Sequence, residues 1–396
     1  MSDFQWGRAF KHAVITAILF FIIVVAVGGV FILVDYKHMG RLVKVIGLVR
    51  GEYLEQVPWD TVVDGAIKGI AGNLDEYSGF QDEQENQNLQ TMIEGQFGGI
   101  GIYVGDDIDK LMVSRPIKGS PAEEAGLETG DEIVLIDGDP VANMTQAEAI
   151  ARLKGKVGTQ VTIEVYRASS HERFERELTR AVISVPSVEW GPYPGEPDIA
   201  VVEITTFSRQ TPGDFDKALS EIDPQQYKGI LVDLRNNLGG EFNAAIYIAS
   251  RLTPRGPVVH TVNRNKRLTS YPATGEFIDV PFVLLVNQYS ASSSEIVTGA
   301  VKDNASAPIV GVTTFGKGLV QKLFELDANT GLKLTTEKYL TPDQNDIHKI
   351  GVVPDYEVPL EQGEKLTLLP GEEDTPDRQM QKACEVLKDK LGSIHS

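Results

Sequence analysis

The residues best suited to chemistry are a serine cluster and a glycine-flanked lysine further along the chain. Ser292 lies in "NQYSASSSEI" and Lys317 in "TFGKG". A serine hydroxyl becomes a strong nucleophile when a neighbouring base takes its proton, and a desolvated lysine amine can be that base. Both residues also have ordinary uses. Ser292 and Glu295 fit the S-x-x-E capping box of a helix start, and Lys317 fits a surface loop. The residues alone leave both interpretations open.

A nucleotide-binding loop is a second interpretation of the lysine. Gly311, Gly316 and Lys317 match the first part of G-x-x-x-x-G-K-[ST], but Gly318 stands where a hydroxyl residue would hold magnesium. Such a loop must also open a helix, whereas the following "LVQKLFEL" alternates like a strand. The sequence therefore disfavours nucleotide binding at this lysine.

Other nucleophile and metal signatures are missing from the sequence. It contains no G-x-S-x-G elbow, no H-E-x-x-H and no S-x-x-K paired with K-T-G. An activated serine would more naturally use a lysine than one of the scattered histidines, although His260 and His348 stay as alternative bases. No histidine pair has the i, i+4 spacing of a helical zinc site. The histidines are His12, His38, His171, His260, His348 and His395.

Length and composition predict a multidomain protein that does not bind nucleic acid. The 396 residues suggest two or three domains, and 42% hydrophobic residues are enough for packed cores. With 37 basic and 56 acidic residues the net charge is -19, which repels phosphate backbones. Cys384 is the only cysteine, so no disulfide framework or thiolate cluster is expected. No metal or organic cofactor is predicted.

An apolar segment near the N-terminus predicts a membrane anchor. Ala13 to Val34 carries no charge and is long enough to cross a bilayer as a helix, which takes about 20 residues. A cleavable signal would be shorter and would end in an A-x-A-like site, so an uncleaved, single-pass signal anchor is favoured. The flanking charges do not fix the orientation.

The elements that must position these residues fall into successive regions. The chain changes from helical texture to short strands at Glu94, then to alternating strands and helices after Pro186, which predicts an α/β sheet buried on both faces. Asp60 is the expected N-cap of a helix in the first of these regions. The predicted bounds are 1–36 for a cytoplasmic tip and anchor, 37–93 for a helical region, 94–182 for a β-rich module, 183–360 for the core and 361–396 for a helical tail.

Several segments together resemble the carboxyl-terminal processing peptidases, a serine peptidase family of bacteria and chloroplasts. The matching segments span about Gly65 to Pro354 in the family's order. They are "GAIKGIAGNLDEYSGF", "GQFGGIGI", "GSPAEEAGLETGDEIVLIDG", "LVDLRNNLGG", "SASSSEI", "VKDN", "TFGKGLVQ" and "YLTPD". The resemblance implies an α/β (α+β) catalytic core with an inserted β-rich PDZ-like domain, to which the anchor adds an N-terminal transmembrane helix.

The resemblance also implies roles for individual residues. Ser292 matches the family's nucleophile, Lys317 its general base and Gln321 a residue that orients the lysine. Asp303 matches an aspartate implicated in activity, directly or structurally. A lysine with an ordinary pKa of about 10.4 acts as a base only after desolvation lowers that pKa, and Gln321 can hold the amine without adding negative charge.

An oxyanion hole and a tail-binding site follow from the same comparison. The N–H of Ser293 at the helix start is one oxyanion donor, and the loop "RNNLGG" supplies the second from Gly239 or Gly240. The loop Gly99, Ile100, Gly101 and Ile102 would bind the C-terminal carboxylate of a substrate, whose strand would add along a helix starting at Thr145.

Three positions depart from the family's pattern. Leu238 and Glu76 stand where proline is usual, and Glu241 places a carboxylate beside the expected oxyanion loop.

The sequence predicts an extracytoplasmic serine endopeptidase that cleaves exported or unfolded proteins near their C-termini. Its partners are the C-terminal tails of those proteins and the membrane, and a homodimer through the helical ends of the chain is a candidate assembly. The alternative is a catalytically silent, membrane-tethered PDZ adaptor that binds tails without cutting them.

Overall fold

The computed structural model describes residues 38–105, 110–361 and 377–394. Among these residues, none of the helices is both long and apolar enough to cross a bilayer. The predicted anchor, Ala13 to Val34, lies outside the described residues. The chain separates into two compact units, Met1–Phe80 and Gln81–Ser396.

The first unit is helical in its described part. Helix α1 covers residues 38–52, helix α2 covers Trp59–Ala71, and the short strand β1, Gly79–Gln81, begins at the end of this unit. The expectation for the start of α2 was wrong. Pro58 occupies the N-cap position and Asp60 lies in the first turn, where its negative charge still favours the helix dipole.

The second unit begins with a helix and a small β-rich body. Helix α3 is capped by Asp82 and Glu85 in a reciprocal capping box. Ser120 and Thr145 cap the two short helices of the β-rich body as their S-x-x-E and T-x-x-E patterns predict. The elements are α3 (Glu83–Glu94), β2 (Gln96–Gly99), β3 (Ile102–Val104), β4 (Leu111–Pro116), α4 (Pro121–Glu124), β5 (Asp131–Ile136), β6 (Asp139–Pro140), a 3-10 turn (Val141–Asn143), α5 (Gln146–Leu153), β7 (Gln160–Arg167), β8 (Glu172–Thr179) and β9 (Ala181–Ser184).

The β-rich body has its own core and an open sheet edge. Its strands pair in the order β3-β4-β5-β7-β8, and the inward residues of each strand, among them Leu111, Ile133 and Ile163, are buried in one cluster. Strand β3 is at the end of this order. It therefore presents one row of backbone N–H and C=O groups that no described strand pairs.

The larger body alternates strands and helices, as the sequence predicts. Its elements are β10 (Val188–Tyr193), β11 (Glu196–Ile204), α6 (Thr211–Glu221), β12 (Gly229–Asp233), α7 (Phe242–Arg251), β13 (Pro257–Asn263), β14 (Leu268–Pro272), β15 (Phe282–Val286), α8 (Ser293–Asp303), β16 (Ile309–Gly311), β17 (Leu319–Glu325), β18 (Gly331–Leu340), β19 (Tyr356–Glu357) and α9 (Arg378–Ile394).

Two sheets organise these elements. The first has the order β10-β11-β12-β15-β16-β19, and its strands from β11 onward run parallel. One face packs against α6, α7 and α8, and the other packs against α9. The second sheet includes the antiparallel order β14-β13-β18-β17. Because parallel strands expose the loops at their carboxyl ends together, β12, β15 and β16 bring three loops to one edge.

A buried ion cluster fixes the C-terminal helix to this edge. Arg235, directly after β12, donates to Asp233 at 2.7 Å and to Asp377 at 2.9 Å, and all three side chains are fully buried. Asp377 in turn accepts the backbone N–H of Met380 in α9. The apolar face of this amphipathic helix, which includes Ala383 and Leu387, packs on the chain's own sheet.

The carboxyl group of Glu203, near Asp233, makes the stability of the fold depend on pH. Burial, and then repulsion from Asp233 and Glu189, raise the pKa of Glu203 to about 7, from 4.5 in an open chain. The folded protein therefore holds this proton more tightly than the unfolded chain does. The resulting stabilisation is complete below about pH 4.5 and is lost as the pH rises towards 7.

Glu203→Gln is expected to raise the melting temperature at pH 8 by about 5 °C and to change it little at pH 4. The permanently neutral amide avoids a loss of stability of roughly 2 kcal/mol. In the wild type this loss develops as the pH rises from about 4.5 to 7. Thermal unfolding at the two pH values measures the difference. Glu325→Gln, at an exposed position, is the control. An equal shift of the Glu203 variant at both pH values would contradict the proton linkage.

Candidate active site

Ser292 lies on a strained turn between β15 and α8. Its backbone has φ 55° and ψ -111°, outside the regions that a serine ordinarily adopts, at a cost of about 1–3 kcal/mol. The residue is the N-cap of α8, and its side chain is half-buried. A strained strand-to-helix turn of this kind is a known way to present a nucleophilic hydroxyl at a sheet edge.

Glu295 organises the turn from inside. Its carboxylate is fully buried and accepts the backbone N–H of Ser292 at 2.9 Å. This is the capping contact that the S-x-x-E pattern predicts. The same carboxylate also accepts the hydroxyl of Thr314 and the backbone N–H of Gly316, both at 2.6 Å, and the backbone N–H of Lys317 at 2.8 Å.

One oxygen atom of Glu295 therefore joins the two candidate catalytic residues. Oε2 accepts the backbone N–H of both Ser292 and Lys317. The two backbone nitrogens consequently lie no further apart than the combined length of these two hydrogen bonds. The loop after β16 and the turn after β15 are held together at this point, which the separation of the two residues in the sequence does not reveal.

Tyr339 closes the site from the second sheet. Its hydroxyl donates to the backbone carbonyl of Ser292 at 3.0 Å and lies 3.5 Å from Glu295. Burial, and then the neighbouring carboxylate, raise the pKa of Tyr339 well above its ordinary value. The phenol is therefore neutral and acts as a hydrogen-bond donor. It fixes the start of α8 relative to β18.

The loop after β12 lies directly against Ser292. A β-carbon added to Gly239 would lie 2.8 Å from Cβ of Ser292 and 2.9 Å from the backbone nitrogen of Ser293, so only glycine allows this approach. The N–H of Gly239 donates to the side chain of Asn237 at 2.9 Å. Gly240 accepts the hydroxyl of Ser293 on its carbonyl at 3.0 Å. The three expected oxyanion residues are thus brought together around the serine.

The two supporting residues, Gln321 and Asp303, have different surroundings. The amide of Gln321, in β17, donates to the hydroxyl of Thr335 at 3.3 Å, beside a register shift in the ladder. Asp303 is the last residue of α8, about 15 Å along the helix from Ser292 at its start. Its carboxylate accepts the backbone N–H of Asp343 at 2.8 Å. This contact favours a structural role for Asp303 over a direct one.

The expected carboxylate loop lies beside the open edge of the β-rich body. Ile100 is buried, and its carbonyl accepts the N–H of Ala122 at 2.8 Å. The carbonyl of Gly101 accepts the hydroxyl of Ser120 at 2.9 Å and the N–H of Ile117 at 2.9 Å. These contacts fix the loop Gly99–Ile102 between β2 and β3.

The two alternative histidines differ in their placement. The ring of His260 contacts the hydroxyl of Ser270 at 2.7 Å and the carbonyl of Pro342 at 3.0 Å, so both of its nitrogens are engaged away from Ser292. His348 lies closer to the site, because its backbone packs against Gly318. Across residues 38–105, 110–361 and 377–394, no cluster of three or more His, Cys, Asp or Glu side chains has the geometry of a metal site.

Glu295 is the site residue whose wider role the sequence reasoning missed. Its spacing from Ser292 marks it as a capping residue, and that contact is present. The contacts with Thr314, Gly316 and Lys317 arise only when the loop after β16 folds back onto α8.

Comparisons with known proteins show what this chain is similar to. The family model for peptidase family S41 matches residues 198–358, and that for the PDZ domain matches residues 88–166. The carboxyl-terminal-processing protease of Synechocystis is 39% identical over 297 residues, covering 73% of this chain and 69% of the relative. The carboxy-terminal processing protease CtpB of Bacillus subtilis is 33% identical over 326 residues, covering 80% and 67%. A solved photosystem II D1 C-terminal processing protease is 31% identical, with a TM-score of 0.47 and coverage of 78% and 86%.

Proposed function

Because this chain belongs to peptidase family S41, and within it to the carboxyl-terminal processing proteases, we propose that it cleaves proteins near their C-termini with Ser292 as nucleophile and Lys317 as general base. One observation carries the proposal. A single buried oxygen of Glu295 accepts the backbone N–H of both residues and so holds the nucleophile and the base in one frame.

The proposed reaction divides hydrolysis into two steps. Lys317, as a neutral amine, takes the proton of Ser292 while the hydroxyl oxygen attacks the scissile carbonyl, and the same proton then passes to the leaving amine. Water hydrolyses the resulting acyl-enzyme. Desolvation must lower the pKa of Lys317 for this role, and the uncharged Gln321 does not oppose the change.

Two backbone groups are proposed to stabilise the oxyanion. The N–H of Ser293 at the start of α8 is one donor, where the helix dipole also favours negative charge. Gly240 is preferred over Gly239 for the second donor, because the N–H of Gly239 is already donated to Asn237. Glu241 begins the next helix by accepting the N–H of Ala244, which directs its carboxylate towards its own helix.

The PDZ domain is proposed to bind the C-terminal tail of the substrate. The tail would pair with the open edge of β3, with its carboxylate at the loop Gly99–Ile102 and its side chains along α5. Gln146, the first residue of α5, already donates to the carbonyl of Gly105 at 3.0 Å and so ties that helix to the end of β3.

The apolar segment Ala13 to Val34 is proposed to tether the enzyme to the cell membrane, with the peptidase on the extracytoplasmic side. Its length and lack of charge support the tether. The substrates would then be exported proteins with exposed, loosely folded tails.

Tail recognition is tested with one loosely folded protein made in two forms, with a free C-terminal carboxylate and with a C-terminal amide. The full-length chain should cleave the free form 10- to 100-fold more efficiently, because the amide loses charge-assisted hydrogen bonds worth roughly 1.5–3 kcal/mol. Mass spectrometry identifies the cleavage sites, and initial rates give kcat/KM.

The controls separate the two candidate functions. Ser292→Ala should bind the free tail as tightly as the wild type and cleave nothing. Tail binding by the wild type without any cleavage would support the adaptor instead. Equal cleavage of the two forms would refute carboxylate recognition while leaving the peptidase in place.

A further inference from the structure

Four large apolar side chains are exposed on segments next to the proposed catalytic dyad, Ser292 and Lys317. They are Leu238, Tyr289, Phe315 and Ile350, with exposed fractions of 71%, 52%, 52% and 65%. Each lies on a different segment next to the site: the loop after β12, the turn after β15, the loop after β16 and the segment before β19. We call these four residues the apolar row.

Backbone hydrogen bonds join the segments that carry these four residues. Asn237, next to Leu238, accepts the N–H of Ala291 at 3.0 Å, and Ala291 adjoins Ser292. Phe315, two residues before Lys317, donates its N–H to the carbonyl of Ser290 at 3.0 Å.

The same contacts extend to both ends of the row. Ser290 follows Tyr289, so the segment of Tyr289 is bonded to the segment of Phe315. Lys349, next to Ile350, donates its N–H to the carbonyl of Gly316 at 2.7 Å. The four segments that carry the row therefore meet around Ser292 and Lys317.

The four side chains of the row gain little burial free energy when the chain folds. An exposed side chain of this size forgoes roughly 1.5–3 kcal/mol of burial, and contiguous exposed apolar surface marks a site that meets a partner. The nearby turns are fixed by backbone and Asn287 side-chain contacts, so the four side chains are presented on rigid supports.

We propose that the apolar row is the surface on which the substrate chain lies across the dyad, so that the enzyme selects segments with large apolar side chains on both sides of the scissile bond. The inference rests on the proposed function, since a peptidase must seat an extended polypeptide at its nucleophile. It adds a second requirement to tail recognition: the tail is captured by the PDZ domain, and the cleaved bond is chosen by apolar residues that are exposed only in unfolded or partly unfolded substrates.

Two matched substrates test the proposal with the full-length chain. They share one C-terminal tail and differ only at the residues flanking the scissile bond, which are Leu and Phe in the first and Ser at both positions in the second. We expect the wild type to favour the apolar substrate by about 50-fold in kcat/KM, which is the effect of burying one or two apolar side chains. The double variant Tyr289→Ser with Phe315→Ser should reduce this ratio to about threefold or less.

The controls distinguish the inference from its alternatives. Leu326→Ser, an exposed apolar residue in the turn between β17 and β18, should keep the full ratio, and melting temperatures confirm that all variants fold. An unchanged ratio in the double variant would overturn the inference. So would a wild-type dimer, seen by sedimentation, that the double variant abolishes without changing the ratio. A wild type that cleaves both substrates equally refutes only the apolar row, whereas one that cleaves neither refutes the proposed function as well.

Discussion

Lys317→Ala is expected to lower kcat/KM by about 10⁴-fold or more, to the same residual rate as Ser292→Ala and as the double variant. A nucleophile and its base act as one unit, so removing either removes the covalent pathway and the second change has nothing left to remove. Initial rates on the tail-bearing substrate measure the three variants. Titration of Ser292→Ala with the intact tail measures binding separately.

Two further variants make this result specific. Lys322→Ala removes an exposed lysine of β17 that pairs with Glu337 of β18. This variant should keep nearly full activity. His348→Ala tests the histidine that packs against Gly318 in the lysine loop. Retained activity in Lys317→Ala together with lost activity in His348→Ala would replace the lysine with a histidine base.

The parallel core was predictable because its signals are local. The apolar runs that become β11, β12 and β15 are buried on both faces, and each is followed by a helix with its own start signal. Strand β17 was equally visible, because "LVQKLFEL" alternates like a strand. These local patterns predict the elements without information on which elements pack together.

The β13 and β14 hairpin was not predicted from the sequence. Four of the five residues of β14 are exposed, so this strand lacks the apolar alternation that marks a half-buried strand. It is held instead by pairing with β13, which in turn pairs with β18. Strand identity here depends on its neighbours and not on its own composition.

The candidate site also combines residues predicted from local sequence with contacts that only the fold creates. Ser292 and Lys317 were predicted from the short segments that carry the family resemblance, and their roles stay predictions. The contacts that bring them together are long-range: Thr314, Gly316 and Lys317 reach Glu295 only through the fold, and Arg235 reaches Asp377 across 142 residues of sequence. A capping pattern accounts for one of the hydrogen bonds of Glu295 and gives no sign of the others.

Glu295→Gln is expected to lower kcat by about 10²- to 10³-fold with little change in KM, and to lower the free energy of unfolding by roughly 3 kcal/mol. We propose Glu295 as a positioning residue, because its carboxylate accepts the backbone N–H of both Ser292 and Lys317. Glutamine keeps one accepting oxygen but turns an NH₂ group towards N–H donors, which leaves buried donors unpaired. The dyad then loses its common support, whereas tail binding by the PDZ domain does not depend on it.

A capping glutamate elsewhere in the chain is the matched control for this last prediction. Glu85 accepts the N–H of Asp82 at the start of α3 and has the same capping-box role without contacting the dyad. Glu85→Gln should therefore cost about 1 kcal/mol of stability and leave kcat unchanged. If Glu295→Gln behaved like Glu85→Gln in both measurements, Glu295 would be a helix cap alone. A selective loss of kcat would instead show that the buried carboxylate of Glu295 positions Ser292 and Lys317.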